Sequence, residues 1–212
     1  ESHPLRHIRA SKEHPTLMWK PLTERIRETG FRILSAMFPP VPAPPPADPN
    51  LILVFSTTGI GDALFDTAAV HALRTSYPSA RIVVCVHRKR QAVFLHDPDT
   101  DELVPYGKSP LYALRLITRF RKERPDLVLL LNINPEVVPV GYLINRRALF
   151  GGTWRCGRYG FLLSHHVDDP GEEHILRLGE AVVRAAGATT EARRMVYRPL
   201  PAELEAARSR FS

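Results

Sequence analysis

The sequence has no apolar run near the roughly 18 to 20 residues that a helix needs to cross a bilayer. It opens with no secretory leader. Only two cysteines occur, Cys85 inside an apolar run and Cys156 beside Arg155; this excludes a disulfide framework and points to a reducing compartment. His165 and His166 are adjacent, but no carboxylate or cysteine stands at ligand spacing from them, so no metal is expected. Aromatic residues make up 8% of the chain and do not interleave with basic ones, which argues against a nucleic-acid partner. There is no internal repeat. What is present is an ordinary globular composition, 44% hydrophobic and 24% charged. The net charge of +7 favours anionic partners such as phosphates, nucleic acid or an acidic membrane face, without choosing among them. The chain opens on Glu1 and stops at Ser212, just after what reads as a new helix, so a piece of a longer protein is expected.

The 212 residues divide by composition. Residues 1–38 are basic, irregular at first and then helical. Over 21–38, Leu22, Ile26, Ile33, Leu34 and Met37 fall near one side, with Lys20, Arg25 and Arg32 elsewhere. Such a helix either docks on a protein domain or makes peripheral contact with an anionic membrane surface. Residues 39–50 form a linker. Seven of the eleven residues 39–49 are proline, which forbids helix and sheet interior and predicts a stiff spacer. Residues 51–190 form the main domain, and 191–212 a connection beyond it.

From residue 51 the pattern alternates. Leu51–Phe55, Arg81–His87 and Asp126–Asn132 read as buried strands, apolar on both faces. Asp101–Tyr106 reads as a short strand that Pro105 pushes to an edge. Helices are expected at 63–73, 88–96, 111–122, 137–150 and 172–186, the last ended by Gly187. The 111–122 helix would use Leu111, Leu114, Ile117, Thr118 and Phe120 as its apolar side. Strands are expected at 153–158 and 161–167. The alternation predicts an α/β fold, a Rossmann-like, doubly wound, mostly parallel sheet covered by helices on both faces.

The most informative stretch is Leu51-Ile-Leu-Val-Phe-Ser-Thr-Thr-Gly-Ile-Gly-Asp62, a strand running through a Gly/Thr turn into a helix. In this fold the ligand crevice lies at the carboxyl ends of the strands. Gly59 and Gly61 suit a tight turn and a close ligand approach. Thr57 and Thr58 offer hydroxyls beside helix-start amides that suit a phosphate, or they belong to a plain turn. Asp62 is either a general base or a helix cap. The helix start favours its ionised form and weakens it as a base, while desolvation acts the other way. Asp66, one turn on, reads as a solvated helix residue. Arg88, Lys89 and Arg90 follow the second strand and either hold an anion or are solvated. Asn132 and Asn134 follow the fourth and either bind hydroxyls or make a turn. Arg155 and Arg158 are further basic candidates.

These residues carry a resemblance. Ile52–Thr67, with its polar turn followed by Ile60-Gly-Asp62, resembles the opening motif of glycosyltransferase family 9, the ADP-heptose:lipopolysaccharide heptosyltransferase-like proteins. Ala72-Leu-Arg-Thr-Ser-Tyr-Pro-Ser-Ala-Arg-Ile82, then Arg124-Pro-Asp-Leu-Val128, then His174-Ile-Leu-Arg-Leu-Gly179 with Ala185-Ala-Gly187, follow in the family's order. The similarity spans residues 51–212 and covers the amino-terminal half only. It implies the acceptor-side domain of a two-domain GT-B enzyme, with a carboxyl-terminal donor domain as its partner. It implies inverting transfer of a heptose or related sugar from a nucleotide-sugar, ADP-heptose, to an anionic bacterial glycan of the lipopolysaccharide-core kind, in the cytoplasm or at the cytoplasmic face of the inner membrane. By this resemblance Asp62 is the catalytic base. Thr57, Thr58, Gly59 and Gly61 lie against the donor diphosphate, and Arg88, Lys89, Arg90, Asn132 and Asn134 take the acceptor. No cofactor is implied. Many members carry Arg or Lys where this chain has Ser56, so a contact made by that basic residue is missing here. The fragment alone is expected to be inactive.

Two other classes remain. Thr58-Gly-Ile-Gly61 is a partial dinucleotide fingerprint with no acid ending the second strand; Arg88 and Lys89 there suit a 2′-phosphate, which makes an NADP-type nucleotide-binding domain the alternative enzyme reading. A non-catalytic binding or assembly module, using the basic arm and proline segment, is the third.

Overall fold

The computed structural model describes residues 16–107, 109–168, 175–191 and 195–211. Six strands form one all-parallel sheet: β1 (Leu51–Ser56), β2 (Arg81–His87), β3 (Glu102–Tyr106), β4 (Leu127–Leu130), β5 (Leu149–Gly152) and β6 (His165–Val167). Their spatial order is β3-β2-β1-β4-β5-β6, the doubly wound order of the Rossmann fold. The register runs from Leu51 opposite Arg81 on one side of β1 and Ile52 opposite Leu127 on the other. β3 is an edge strand, as Pro105 predicts.

Helices cover both faces. α2 (Ile60–Ser76) and α6 (Ile175–Ala185) lie on one; α3 (Pro110–Glu123) and α4 (Val138–Ile144) lie on the other. Ile52 and Val54 of β1 point to the first layer, Leu53 and Phe55 to the second. Val182, Val183 and Ala186 seat α6 against this core. Each fully buried valine contributes about 1.5 to 3 kcal/mol. Beyond α6, Gly187 takes φ +94, and a Cβ there would stand 2.6 Å from the Tyr77 hydroxyl, which donates to the Ala186 carbonyl. Residues 172–174 of the expected helix lie outside the described residues.

Three expectations are corrected. The 137–150 helix stops at Ile144. Asn145 Oδ1 accepts from the amides of Arg147 (3.0 Å) and Ala148 (3.2 Å), a side-chain turn that resets the chain into β5. The expected 153–158 strand is instead a short helix, α5 (Thr153–Cys156), followed by a 3₁₀ turn at Gly157–Leu162, where Gly157 has φ +50. The expected apolar side of α3 is rotated: Leu116 and Phe120 are buried, while Leu111 and Leu114 are exposed.

The arm takes the docked alternative of its sequence reading, but with only part of the expected stripe. α1 (Thr16–Met37) docks on the domain through Phe31 and Leu34, and Arg27 Nε donates to Tyr159 Oη at 3.0 Å. Of the expected stripe, Ile26 (63%), Ile33 (58%) and Met37 (62%) remain exposed, and the Leu22 side chain lies outside the described ones. The proline segment is laid along the domain. The Ala43 amide donates to the Arg147 carbonyl at 2.9 Å, and the Ala43 carbonyl lies 2.9 Å from His165 Nε2. His165 itself stacks on Phe150, with ring centroids 4.0 Å apart. Asp126 Oδ2 then accepts from the Asn50 amide at 2.7 Å and fixes entry into β1. A final helix, α7 (Pro201–Phe211), is solvent-exposed. Among the described residues no helix is long and apolar enough to cross a membrane.

Candidate functional site

The winding of the sheet reverses between β1 and β4, and the crevice at their carboxyl ends is the fold's natural ligand site. The two chain segments leaving these strands are tied together there. The Thr57 amide donates to the Asn132 carbonyl at 2.8 Å, and Thr58 Oγ1 donates to the same carbonyl at 3.2 Å. The Asn134 amide donates to Thr57 Oγ1 at 3.3 Å, and Asn134 Nδ2 to the Thr57 carbonyl at 3.2 Å. Asn134 thus makes the turn contacts that were one of its two readings.

A cleft of about 370 Å³ opens beside this knot, lined by Thr57, Thr58, Gly59, His87, Lys89, Arg90 and Asn134. Two groups expected separately, the turn after β1 and the basic residues after β2, therefore share one concave surface. Arg88 is exposed and does not line it. His87 was not among the sequence candidates. Its signal was its place as the last residue of β2, at the edge where side chains reach ligands; its Nδ1 accepts from the Lys89 amide at 3.3 Å. The cleft has the basic side chains of Lys89 and Arg90 at one wall and the Thr57–Gly59 turn at the other, a setting that suits an anion.

Asp62 lies in the first turn of α2, outside the cleft's lining, and is tied to it through Gly59. Its Oδ2 accepts from the Gly59 amide at 3.1 Å, and its Oδ1 lies 3.8 Å from Arg155 Nη2. The cap reading is thus realised, with the other oxygen turned towards a cation on α5. Gly59 adopts φ −69 and ψ 168, extended geometry open to any residue, so the tight-turn reason for this glycine falls. What its hydrogen does is leave room for the carboxylate: a Cβ would come within 3.3 Å of Asp62 Oδ2. Gly61 is exposed, and a Cβ there would meet nothing within 4 Å.

Asp66 is not solvated. It is 1% exposed, and Asn132 Nδ2 donates to its Oδ1 at 2.7 Å. Asn132 is itself buried, so its side chain props the site from beneath and does not line the cleft. Burial, with a smaller push from the Asp62 charge, raises the Asp66 carboxyl to about 7, against the Ser56 hydroxyl and the Asn132 donors, which favour the carboxylate. The helical spacing from Asp62 hid this: position 66 shares the inward face with Ala63 and Val70, which an apolar-only count passes over.

No protein-family model matches the sequence, and no curated protein matches it at a significant level. Solved structures do. A glycosyl transferase of family 9 from Veillonella parvula DSM 2008 superposes with a TM-score of 0.62 at 19% identity, covering 77% of this chain and 49% of that one. The E. coli ADP-heptose lipopolysaccharide heptosyltransferase II gives 0.60 at 19% identity, covering 76% and 50%. The E. coli heptosyltransferase WaaC, solved with ADP, gives 0.56 at 11% identity, covering 66% and 48%. The chain spans about half the length of these structures. The likeness establishes the fold, the Rossmann-like α/β architecture that such glycosyltransferases share with this chain.

Proposed function

We propose that this chain is the acceptor-side part of an inverting glycosyltransferase that moves a heptose or related sugar from a nucleotide-sugar, ADP-heptose, to an anionic bacterial glycan. The observation that carries the reading is the cleft that gathers Thr57, Thr58 and Gly59 with Lys89 and Arg90, with the Asp62 carboxylate capping the same glycine, on a fold shared with heptosyltransferases.

In the proposed reaction an acceptor hydroxyl oxygen forms a bond to the anomeric carbon of the donor. The bond from that carbon to the diphosphate oxygen breaks on the opposite side, and a nucleoside diphosphate departs with the electron pair. The hydroxyl proton passes to Asp62. Oδ1 suits this role, because Oδ2 is already engaged with the Gly59 amide. Lys89 and Arg90 face the negative charge of the acceptor or of the departing diphosphate. Most of the donor site belongs to a carboxyl-terminal domain, with which this part would act at the cytoplasmic face of the inner membrane.

The test is transfer by the native polypeptide, whose intact mass is measured on the same material, from ADP-heptose to a lipopolysaccharide-core acceptor. Transfer that disappears in Asp62→Ala supports the reading. A native polypeptide of 23.9 kDa that neither transfers nor binds a nucleotide-sugar refutes it, and a binding or assembly module takes its place.

A further inference from the structure

The reaction above leaves the buried acid Asp66 unused. Asp66 holds Asn132 twice: Asn132 Nδ2 donates to Oδ1 at 2.7 Å, and the Asn132 amide to Oδ2 at 3.4 Å. The Asn132 carbonyl in turn accepts from the Thr57 amide at 2.8 Å and from Thr58 Oγ1 at 3.2 Å. A continuous hydrogen-bonded path thus runs from the middle of α2, under the sheet edge, to the two threonines on the cleft wall. We propose that Asp66 is a positioning residue which, as the carboxylate and through Asn132, fixes the Thr57–Thr58 turn that faces the ligand. The proposal rests on reading that cleft as an anion site.

A carboxylate accepts at both oxygens, so it can take both Asn132 donors. The neutral acid has one carbonyl oxygen and one hydroxyl, and the hydroxyl oxygen is the poorer acceptor. The grip on Asn132 therefore depends on the charge state. Three groups bear on Asp66: Asp62 from its own helix, Ser56 from β1, and Asn132 from the end of β4. α6, packed on α2, carries Glu180, which is held by Arg177 Nη1 at 2.9 Å and Arg184 Nη2 at 2.6 Å. The Ser56 hydroxyl lies close enough to favour the carboxylate without completing a hydrogen bond of normal geometry. Burial places the exchange between the two forms near pH 7, so the turn is held most firmly just above neutrality.

Asp66→Asn keeps the size, keeps one acceptor for Asn132 Nδ2, and imitates the neutral acid. Two measurements on the whole chain test the proposal across pH 5.5 to 8.5: amide exchange protection at residues 57–59, and the affinity for inorganic pyrophosphate by calorimetry. In the native chain both should weaken as the pH falls through about 7. In Asp66→Asn the protection should be flat, and the affinity should keep only the pH dependence that pyrophosphate's own ionisation imposes, at pH 8 weaker than native by roughly tenfold, the loss expected for one hydrogen bond to a charged group. Asn132→Ala should reproduce the effect, and the double variant should add little to it. Full protection at 57–59 in Asp66→Asn, with an unchanged pH profile, overturns the proposal. Should that variant fail to fold, a flat native profile with unaltered protection in Asn132→Ala overturns it equally. A native chain that binds no pyrophosphate, yet loses protection at 57–59 in Asp66→Asn, upholds the positioning role and refutes the anion-site reading.

Discussion

Arg155 Nη2 on α5 stands 3.8 Å from Oδ1 of Asp62, while Oδ2 of the same carboxylate accepts from the Gly59 amide. The two oxygens therefore have separable tasks. Asp62→Asn retains an oxygen that can cap Gly59 but has no base. Asp62→Ala loses both. In the transfer-competent protein, Asp62→Asn should lower the rate by roughly 10²- to 10⁴-fold, with a melting temperature close to native. Asp62→Ala should also lose about 1 kcal/mol of stability, measured by urea unfolding. An Asp62→Asn protein that still transfers at the native rate would reduce Asp62 to a cap.

Arg155 should matter for rate more than for stability. The pair is partly solvated on both sides, with side-chain exposures of 30% and 24%, so its contribution to folding is at most about 1 kcal/mol. Its place is more telling: it faces the oxygen assigned to receive the proton. Arg155→Ala should change kcat by at least severalfold and leave the urea midpoint nearly fixed, and Arg155→Lys should fall between. Equal kcat in all three proteins would show the pair to be incidental.

Lys89 and Arg90 line the cleft and Arg88 does not, although the three are consecutive. Lys89→Ala and Arg90→Ala should each weaken pyrophosphate binding by roughly tenfold, within the range of a hydrogen bond to a charged partner. The salt dependence should shrink with each lost cation. Arg88→Ala should bind as the native chain does. A loss in Arg88→Ala equal to the other two would mean that only the general field of the basic segment matters.

Much of this was legible without coordinates. β1, β2 and β4 are central strands, and their unbroken apolar runs followed by turn residues mark them in sequence. The site's address follows, because parallel strands carry ligands at their carboxyl ends. β5 was hidden because it is four residues long and follows α4 closely; the break is made by the Asn145 side chain, which no periodicity count detects. The face of α1 was only partly legible: Leu34 of the expected stripe docks, but Phe31 and Arg27 on Tyr159 set the rest of the contact, while Ile26 and Ile33 satisfy the same spacing in solvent. His87 and the inward turn of Asp66 had only positional signals, the end of β2 and the helical face of Ala63 and Val70, and tertiary contacts were needed to give them meaning.

Asp66 also makes a prediction about stability, with a sign opposite to the usual carboxylate. Its carboxyl is raised from 3.8 to about 7 by burial, so between those values the folded chain holds a proton that the unfolded chain has released. Stability from this group is therefore full at low pH and is lost as the pH rises through about 7. The total is on the order of 4 kcal/mol, at 1.36 kcal/mol for each pH unit of separation. Asp97, also raised by burial, acts in the same direction. Glu102, held down by Arg119, acts oppositely and at lower pH, where its contribution is lost on acidification. Asp66→Asn should flatten the decline between pH 4 and 7 and leave the variant more stable than the native chain at pH 8, as read by urea unfolding at each pH. A buried Asn needs no charge to be desolvated. The same variant should nonetheless lose protection at Thr57 and Thr58. A protein made more stable overall and looser at one turn separates a positioning role from a merely structural one, because a structural role would move both in the same direction.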